Sequence, residues 1–510
     1  MRWRPDRGLA AALLSGLLLA LAFPRPDLAS CAWFGLVPLL IFSSDRPLRD
    51  GFVAGATFFA IVLYWLNIVM TTYGGLNPIL SVVAYLMLVA YLSLFIAVAV
   101  WGGFALRERF RLPLPLTLPV LWVGFEFLRS FLFSGFPWAT LGYSQQSHLA
   151  LIQSADLCGV YGISYLLVLA NTVLARLLQA AQGRDRAMLP RWSLVVLLFL
   201  FLGNLGYGRW RLGPDIDRRD TTLETVLVQG NIDQSIKWDP AFLEATVDHY
   251  RDLSLQGASG LTRALIVWPE SATPFYAQDP SPLQSLVHQV PRVTDSWLLF
   301  GSPAYERRNS GVRYLNSAFL LAPTGAVLGR SDKVHLVPFG EYVPLKSIFL
   351  FIDKLVVGIG DFSPGSVTPL SLDGHRLGVL VCFEGIFPVL ARDFVRKGSD
   401  LLVNITNDAW FGRSSAPFQH LAMTRFRAIE NRIWVARAAN TGVSALIAPS
   451  GRIPDQTEIF VSAILRGRVG LGSGNAFYSR YGDILPGVCL ALSLFWLLLL
   501  LRRRYQCRRP

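Results

Sequence analysis

Hydrophobic positions along the 510 residues follow two regimes. Up to residue 209, and again from 484, they form long runs with few charges, at about 8–23, 30–43, 51–70, 78–106, 113–134, 158–175, 192–208 and 484–501. A run of roughly 20 apolar residues in a helix crosses the ~30 Å hydrocarbon core of a bilayer. Most of the runs come near that length and predict membrane helices, the 30–43 run being the shortest. Between 210 and 483 the pattern changes to short apolar runs separated by polar turns with Gly and Pro, as in a water-exposed domain. Strands are expected at 225–229, 265–268, 297–300, 317–322, 377–383, 401–405 and 444–448, and helices at 242–256 and 417–431. Their alternation predicts an α/β domain, and Pro323, Thr324 and Gly325 fit a turn between two strands. The chain is therefore expected to comprise a seven-span helix bundle (1–209), an α/β domain (210–483) and a last span with a basic tail (484–510).

Composition points the same way. Hydrophobic residues make up 53% of the chain, charged residues only 16%, and mean hydropathy is +0.42, all unusual for a water-soluble protein of this length. The arginines fix an orientation. Arg2, Arg4 and Arg7 precede the first run, Arg46 and Arg49 follow the second, Arg107, Arg109 and Arg111 the fourth, Arg176, Arg184 and Arg186 the sixth, and Arg502, Arg503 and Arg504 the last. Apart from Arg25, the alternate loops are nearly bare until Arg209, so the positive-inside rule puts both termini in the cytoplasm and the α/β domain outside. This topology, with attraction to anionic inner-leaflet lipid, accounts for much of the net charge of +13, and the charge does not argue for nucleic acid.

Cys31, Cys158, Cys382, Cys489 and Cys507 are widely spaced, with no CxxC pair, so neither a metal site nor a disulfide framework is expected. Leu28-Ala29-Ser30-Cys31 imitates a lipoprotein cleavage box, but Pro24, Arg25, Pro26 and Asp27 separate it from the apolar run before it, and another such run follows at once. Two spans joined by a short loop are expected there.

The candidate chemistry lies in the outward domain: Glu270 in ALIVWPESATPF, Lys333 in RSDKVHLVPFGEYVP and Cys382 in RLGVLVCFEGIF. A thiol titrates near ~8.5 and needs a base or a cation to become a nucleophile. The acid can take its proton, and the ammonium can stabilise the oxyanion formed when sulfur attacks an acyl carbon. Each residue taken alone reads more simply as a buried strand cysteine or a loop charge.

Together with their flanking sequence, the three resemble the Glu-Lys-Cys triad of the nitrilase superfamily. WPES, DKxHLVPFGEYVP, VCFE and NDAWFG, with the helices on either side, resemble more narrowly the apolipoprotein N-acyltransferase family. The resemblance implies a membrane α-helical bundle of about eight transmembrane helices plus a nitrilase-like αββα sandwich, in the inner membrane of a Gram-negative type of cell, with the sandwich in the periplasm. It also implies a ping-pong reaction without cofactor: Cys382 takes a fatty acyl chain from a membrane phospholipid, and the α-amine of a diacylglyceryl-cysteine on an apolipoprotein attacks the thioester. Glu341 and Glu384 would orient Lys333 or keep it charged, against a simpler reading as surface acids. Phe383 departs from the tyrosine common in the family, so that an aromatic contact survives without its hydroxyl. Trp238, in NIDQSIKWDP, matches a tryptophan near the acyl substrate, its simpler reading being core packing. The protein is read as a monomer. A membrane-anchored amidohydrolase using water as acceptor, and a transporter with a regulatory outer domain, are the competing classes.

Two features stay open at this level. Glu126 and Arg129 share a helix face in the fifth run, where they serve as structural glue or line a lipid route, and SGFPWATLGYSQQ at 134–146 resembles a family segment that approaches the site from the membrane. LKSIFLFIDKLVVGI at 345–359 is either a core helix or a lid that dips into the lipid interface.

Overall fold

The computed structural model describes residues 6–43, 45–182, 191–309, 311–342 and 362–506. The apolar 345–359 segment lies outside these. The chain packs as two units: Met1–Tyr64 with Ile79–Gly213 and Tyr481–Pro510, and Trp65–Pro78 with Pro214–Arg480.

The first unit is helical. Pro78–Phe110, Ala155–Ala181, Arg191–Arg211 and Ile484–Arg502 are long and apolar enough to cross a membrane, and Pro47–Val62 with Leu66–Tyr73 would add a fifth span if the two are taken as one bent span. The other expected runs form shorter helices. The first folds as Arg7–Leu21, whose 15 residues extend about 22 Å. The 30–43 run breaks into Ala29–Trp33 and Val37–Phe42, the latter with a proline in its first turn, and the fifth folds as Leu114–Arg129, 16 residues long. Small residues let these helices approach closely. A Cβ on Gly124 would lie 2.9 Å from the Cys489 carbonyl oxygen, and Ser493 bonds the same oxygen at 2.7 Å.

Glu126 and Arg129 both bond the chain that follows their helix. Glu126 Oε1 accepts the Leu141 amide at 2.8 Å, and Arg129 Nη1 donates to the carbonyls of Trp138 (2.6 Å) and Phe136 (3.2 Å). These bonds satisfy backbone groups in the irregular segment around Trp138 and Tyr143, both buried. These bonds make the pair structural glue, and the same two side chains line a cavity with Phe59, Phe95 and Trp122.

The second unit is a two-sheet sandwich. Its strands are β1 (Thr221–Gln229), β2 (Leu265–Val267), β3 (Trp297–Arg308), β4 (Gly311–Leu321), β5 (Val327–Asp332), β6 (Leu370–Leu372), β7 (His375–Val381), β8 (Leu401–Thr406), β9 (Val435–Ala439), β10 (Ala445–Ile447), β11 (Asp455–Gln456) and β12 (Ala463–Leu471). They form two six-stranded sheets in the orders β12-β1-β2-β3-β4-β5 and β11-β10-β9-β8-β7-β6. In each, three central strands run parallel, β1-β2-β3 and β7-β8-β9, flanked by antiparallel ones.

Alternation along the strands sorts the core. Leu223 and Leu227 of β1 and Leu377, Val379 and Val381 of β7 meet between the sheets. Val226 and Val228 turn outward onto the helices Leu243–Ala258 and Pro282–Thr294, as Leu380 does onto Pro388–Arg396 and Ala416–Asn431. All seven expected strands exist with shifted ends; the five others were too short, edge-like or small in side chain to stand out. The expected turn joins β4 to β5, with Gly325 at φ 80° and its amide on the Ala322 carbonyl at 2.7 Å, and β5 delivers Lys333.

Candidate active site

Each candidate residue sits where a strand gives way to a turn. Cys382 begins a short 3₁₀ turn (Cys382–Ile386) directly after β7 and has φ 54°. That conformation is disfavoured for a residue with a side chain, so the surrounding contacts must hold it. Asn404 Nδ2 bonds the carbonyls of Leu380 (2.8 Å) and Cys382 (3.3 Å), and Glu384 Oε2 accepts the Val381 amide at 2.7 Å. Glu270 lies three residues beyond β2, followed by Ser271 at φ 49°. Lys333 directly follows β5, its amide on the Asn316 carbonyl at 2.8 Å.

Glu270, Lys333 and Glu341 form one buried cluster. Lys333 Nζ is 2.9 Å from Glu341 Oε1 and 3.5 Å from Glu270 Oε1. Asn316 Nδ2 bridges the same two carboxylate oxygens at 2.8 Å each. Glu270 Oε2 accepts the Asn407 amide at 3.1 Å, and Glu341 Oε2 that of Val337 at 2.8 Å. Burial pulls the Lys333 pKa down, but Glu341, then Glu270 and Cys382, outweigh it and hold it well above the ordinary lysine value, so the residue stays an ammonium.

The thiol titrates the other way. Burial raises the Cys382 pKa well above the ordinary thiol range, Glu270 and Asp408 raise it further, and Lys333 and a hydrogen bond from Thr406 only partly oppose them. At neutral pH Cys382 is therefore a thiol, and its proton leaves only when a base accepts it during attack.

Glu384 feels the Lys333 charge, which lowers its pKa, but its hydrogen bonds go to backbone amides. Its Oε1 accepts the amides of Val334 (2.6 Å) and His335 (2.9 Å), and with the Val381 bond this ties the lysine loop to the cysteine turn. Burial pushes its pKa up to about 7 against those hydrogen bonds. It and Glu341 are buried or nearly so, which removes the reading of both as surface acids. The Phe383 ring packs on Phe387 (centroids 5.2 Å apart), which stacks on His335 at 4.0 Å. Trp238 is 37% exposed, which rules out core packing.

Several site residues escaped the sequence reading: Lys237, Asn316, Asn407 and the polar layer beneath Cys382. In that layer Asp408 meets Arg437 at 2.7 Å and His420 at 3.0 Å, all fully buried, and Arg437 also bonds Asn404, which holds the cysteine turn. Burial would raise the Asp408 pKa, yet Arg437 and His420 hold it at about 2. Two quoted motifs carried a local signal: NDAWFG, which contains Asn407 and Asp408, and NIDQSIKWDP, which contains Lys237. The segment Trp65–Pro78 packs on the same loop, with Trp65 Nε1 3.3 Å from Gln419 Oε1 and its ring 4.9 Å from that of Phe411, while Tyr73 meets Trp410 at 5.7 Å.

Two facing sheets with a carboxylate, an ammonium and a thiol at strand ends define the class of carbon–nitrogen hydrolase domains, and the carbon-nitrogen hydrolase family profile matches residues 227–466. That of the apolipoprotein N-acyltransferase N-terminal domain matches residues 15–173. An apolipoprotein N-acyltransferase of Geobacter metallireducens is 50% identical over 96% of this chain and 94% of its own length, and one of Nitrosomonas europaea is 35% identical over 95% of each. Among solved structures, an amidase from Nesterenkonia sp. is 21% identical over 51% of this chain and 92% of its own, with a TM-score of 0.37. The chain belongs to the apolipoprotein N-acyltransferase family, and it is a membrane-associated acyltransferase.

Proposed function

We propose that the protein transfers a fatty acyl chain from a membrane phospholipid, through a thioester on Cys382, to the α-amine of the diacylglyceryl-cysteine at the N-terminus of apolipoproteins. The observation that carries this reading is the buried Glu270–Lys333–Glu341 cluster, whose Glu270 and Lys333 lie within electrostatic range of the Cys382 thiol, in a chain with full-length relatives of that name. Glu270 takes the thiol proton as sulfur attacks the ester carbonyl. The oxyanion forms against the Lys333 ammonium and a backbone amide next to Cys382. Collapse expels the glycerol oxygen, which takes the proton from Glu270 and leaves as lysophospholipid. The acceptor amine then attacks the thioester and loses a proton to Glu270, which returns it to the departing Cys382 sulfur. Glu341 keeps Lys333 charged, Glu384 holds the loops in register, and Trp238 and Phe383 line the acyl approach.

In this reading about eight segments span the inner membrane, 1–209 and 484–510 form its membrane part, 210–483 acts in the periplasm, and one chain suffices. The positive-inside pattern of the arginines supports the orientation. Intact mass spectrometry after exposure to phospholipid tests the chemistry. One fatty-acyl mass, removable by hydroxylamine, is expected on the wild type and absent from Cys382→Ala, while Cys31→Ala keeps it. Glu270→Gln and Lys333→Ala should slow its formation by about a hundredfold or more. An adduct that survives in Cys382→Ala would refute the assignment. Labelled phospholipid with and without an acceptor amine separates transfer from hydrolysis.

A further inference from the structure

Two lysines are buried among the described residues, Lys333 and Lys237, each 1% exposed. Removing an ammonium from water costs several kcal/mol unless partners compensate. Lys333 has two carboxylates within 3.5 Å. Lys237 has no carboxylate of the described residues within ion-pair distance; its Nζ donates to the backbone carbonyl of Glu270 at 3.2 Å. A buried cation directed at the main chain of the proposed base suggests a role in the reaction beyond folding.

The local backbone explains why that carbonyl needs a partner. Beyond β2 the Trp268 amide still bonds the Leu299 carbonyl (2.8 Å), and the Gly301 amide the Pro269 carbonyl (3.2 Å). At Glu270 the chain leaves β3 and turns through Ser271 at φ 49°, and the Glu270 carbonyl, no longer in the ladder, accepts from Lys237 instead. The carboxylate end is held by Asn316, Asn407 and Lys333. Glu270 is thus gripped at both ends, with Lys237 the grip on the main chain. Lys237 also lies within electrostatic range of Cys382, and burial lowers its pKa to about 8, opposed by Glu270 and Cys382.

We infer that Lys237 is a positioning residue for the base: its ammonium pins the Glu270 carbonyl and so fixes the direction in which the Glu270 carboxylate meets the Cys382 thiol. This rests on the acyl-transfer reading, in which Glu270 is the base. Misplacing a reacting group by an ångström costs about a hundredfold, and a residue that acts only through Glu270 has nothing left to lose once Glu270 is gone.

A mutant cycle on the full-length protein in detergent with phospholipid tests this, reading the rate of Cys382 acylation by mass and, independently of any lipid, its alkylation by iodoacetamide. Lys237→Met should slow both by about ten- to a hundredfold with little change in the phospholipid concentration at half-maximal rate. Lys237→Arg, which keeps a charged donor, should recover most of the loss. In a Glu270→Gln background, Lys237→Met should cost less than about twofold more. Additive losses in the cycle, or a wild-type rate in Lys237→Met beside a slow Glu270→Gln, would overturn the positioning role while leaving the acyl-transfer reading intact. A wild-type rate in Glu270→Gln would overturn the base assignment and this inference with it. Should Lys237→Met fail to fold, Lys237→Gln carries the same cycle.

Discussion

Glu384 illustrates how much a single buried group contributes at this site. Burial raises its pKa from 4.5 to about 7, whereas in the unfolded chain it titrates near the lower value. Between the two the folded protein holds a proton that the unfolded chain has released. The group therefore contributes stability that is fully present below about 4.5 and is lost as pH rises through about 7, on the order of 3 kcal/mol at most. The thermal midpoint of the wild type relative to Glu384→Gln should accordingly fall between pH 5 and pH 8, and a constant difference would show that the carboxyl is not raised. His335, held down at about 4 by burial and Lys333, shifts stability in the opposite sense over a lower range and cancels in that difference. Residue identity was legible at Glu270, Lys333 and Cys382 because their motifs are local. Asn316 and Lys237 were not, because nothing in a strand asparagine or a loop lysine says which carboxylate or carbonyl will face it after folding.

At the scale of elements, the site depends on how closely β3 approaches the turn after β2. A Cβ on Gly301 would fall 2.5 Å from the Ser271 amide nitrogen and 2.7 Å from both the Glu270 Cα and the Pro269 carbonyl oxygen, distances at which backbone must shift. Gly301→Ala should therefore move Glu270 while leaving the sheets paired, slowing Cys382 acylation at least tenfold and costing about 1–3 kcal/mol. Circular dichroism with the acylation rate checks both, and a wild-type rate would mean that the turn tolerates the displacement. Strand β2 was legible as an apolar run. That the turn after it carries a left-handed residue, Ser271, pressed against Gly301 of β3 was not, since the two positions are some thirty residues apart in sequence and only the parallel pairing of β2 with β3 joins them.

For the whole molecule, orientation is the first thing to test. If the arginine pattern sets the topology, Thr72→Cys and Asn309→Cys in a chain lacking Cys31, Cys158, Cys382, Cys489 and Cys507 should react with an impermeant thiol reagent on the outer face, and Glu108→Cys should not. Labelling at 108 but not at 309 would invert the orientation and exclude a periplasmic site. The sequence by itself determined the two regimes of the chain, the α/β character of the second, most of its strands and the acid, lysine and thiol at their ends, because hydropathy period and turn chemistry are written locally. Only the tertiary structure decided which helices reach spanning length, that Trp65–Pro78 packs with the catalytic unit, that Glu126 and Arg129 serve the backbone of the following segment, and that Lys237 and Asn316 grip the base. Those outcomes depend on which distant groups meet where water is excluded, and there each buried donor and acceptor must find a partner that sequence order does not name.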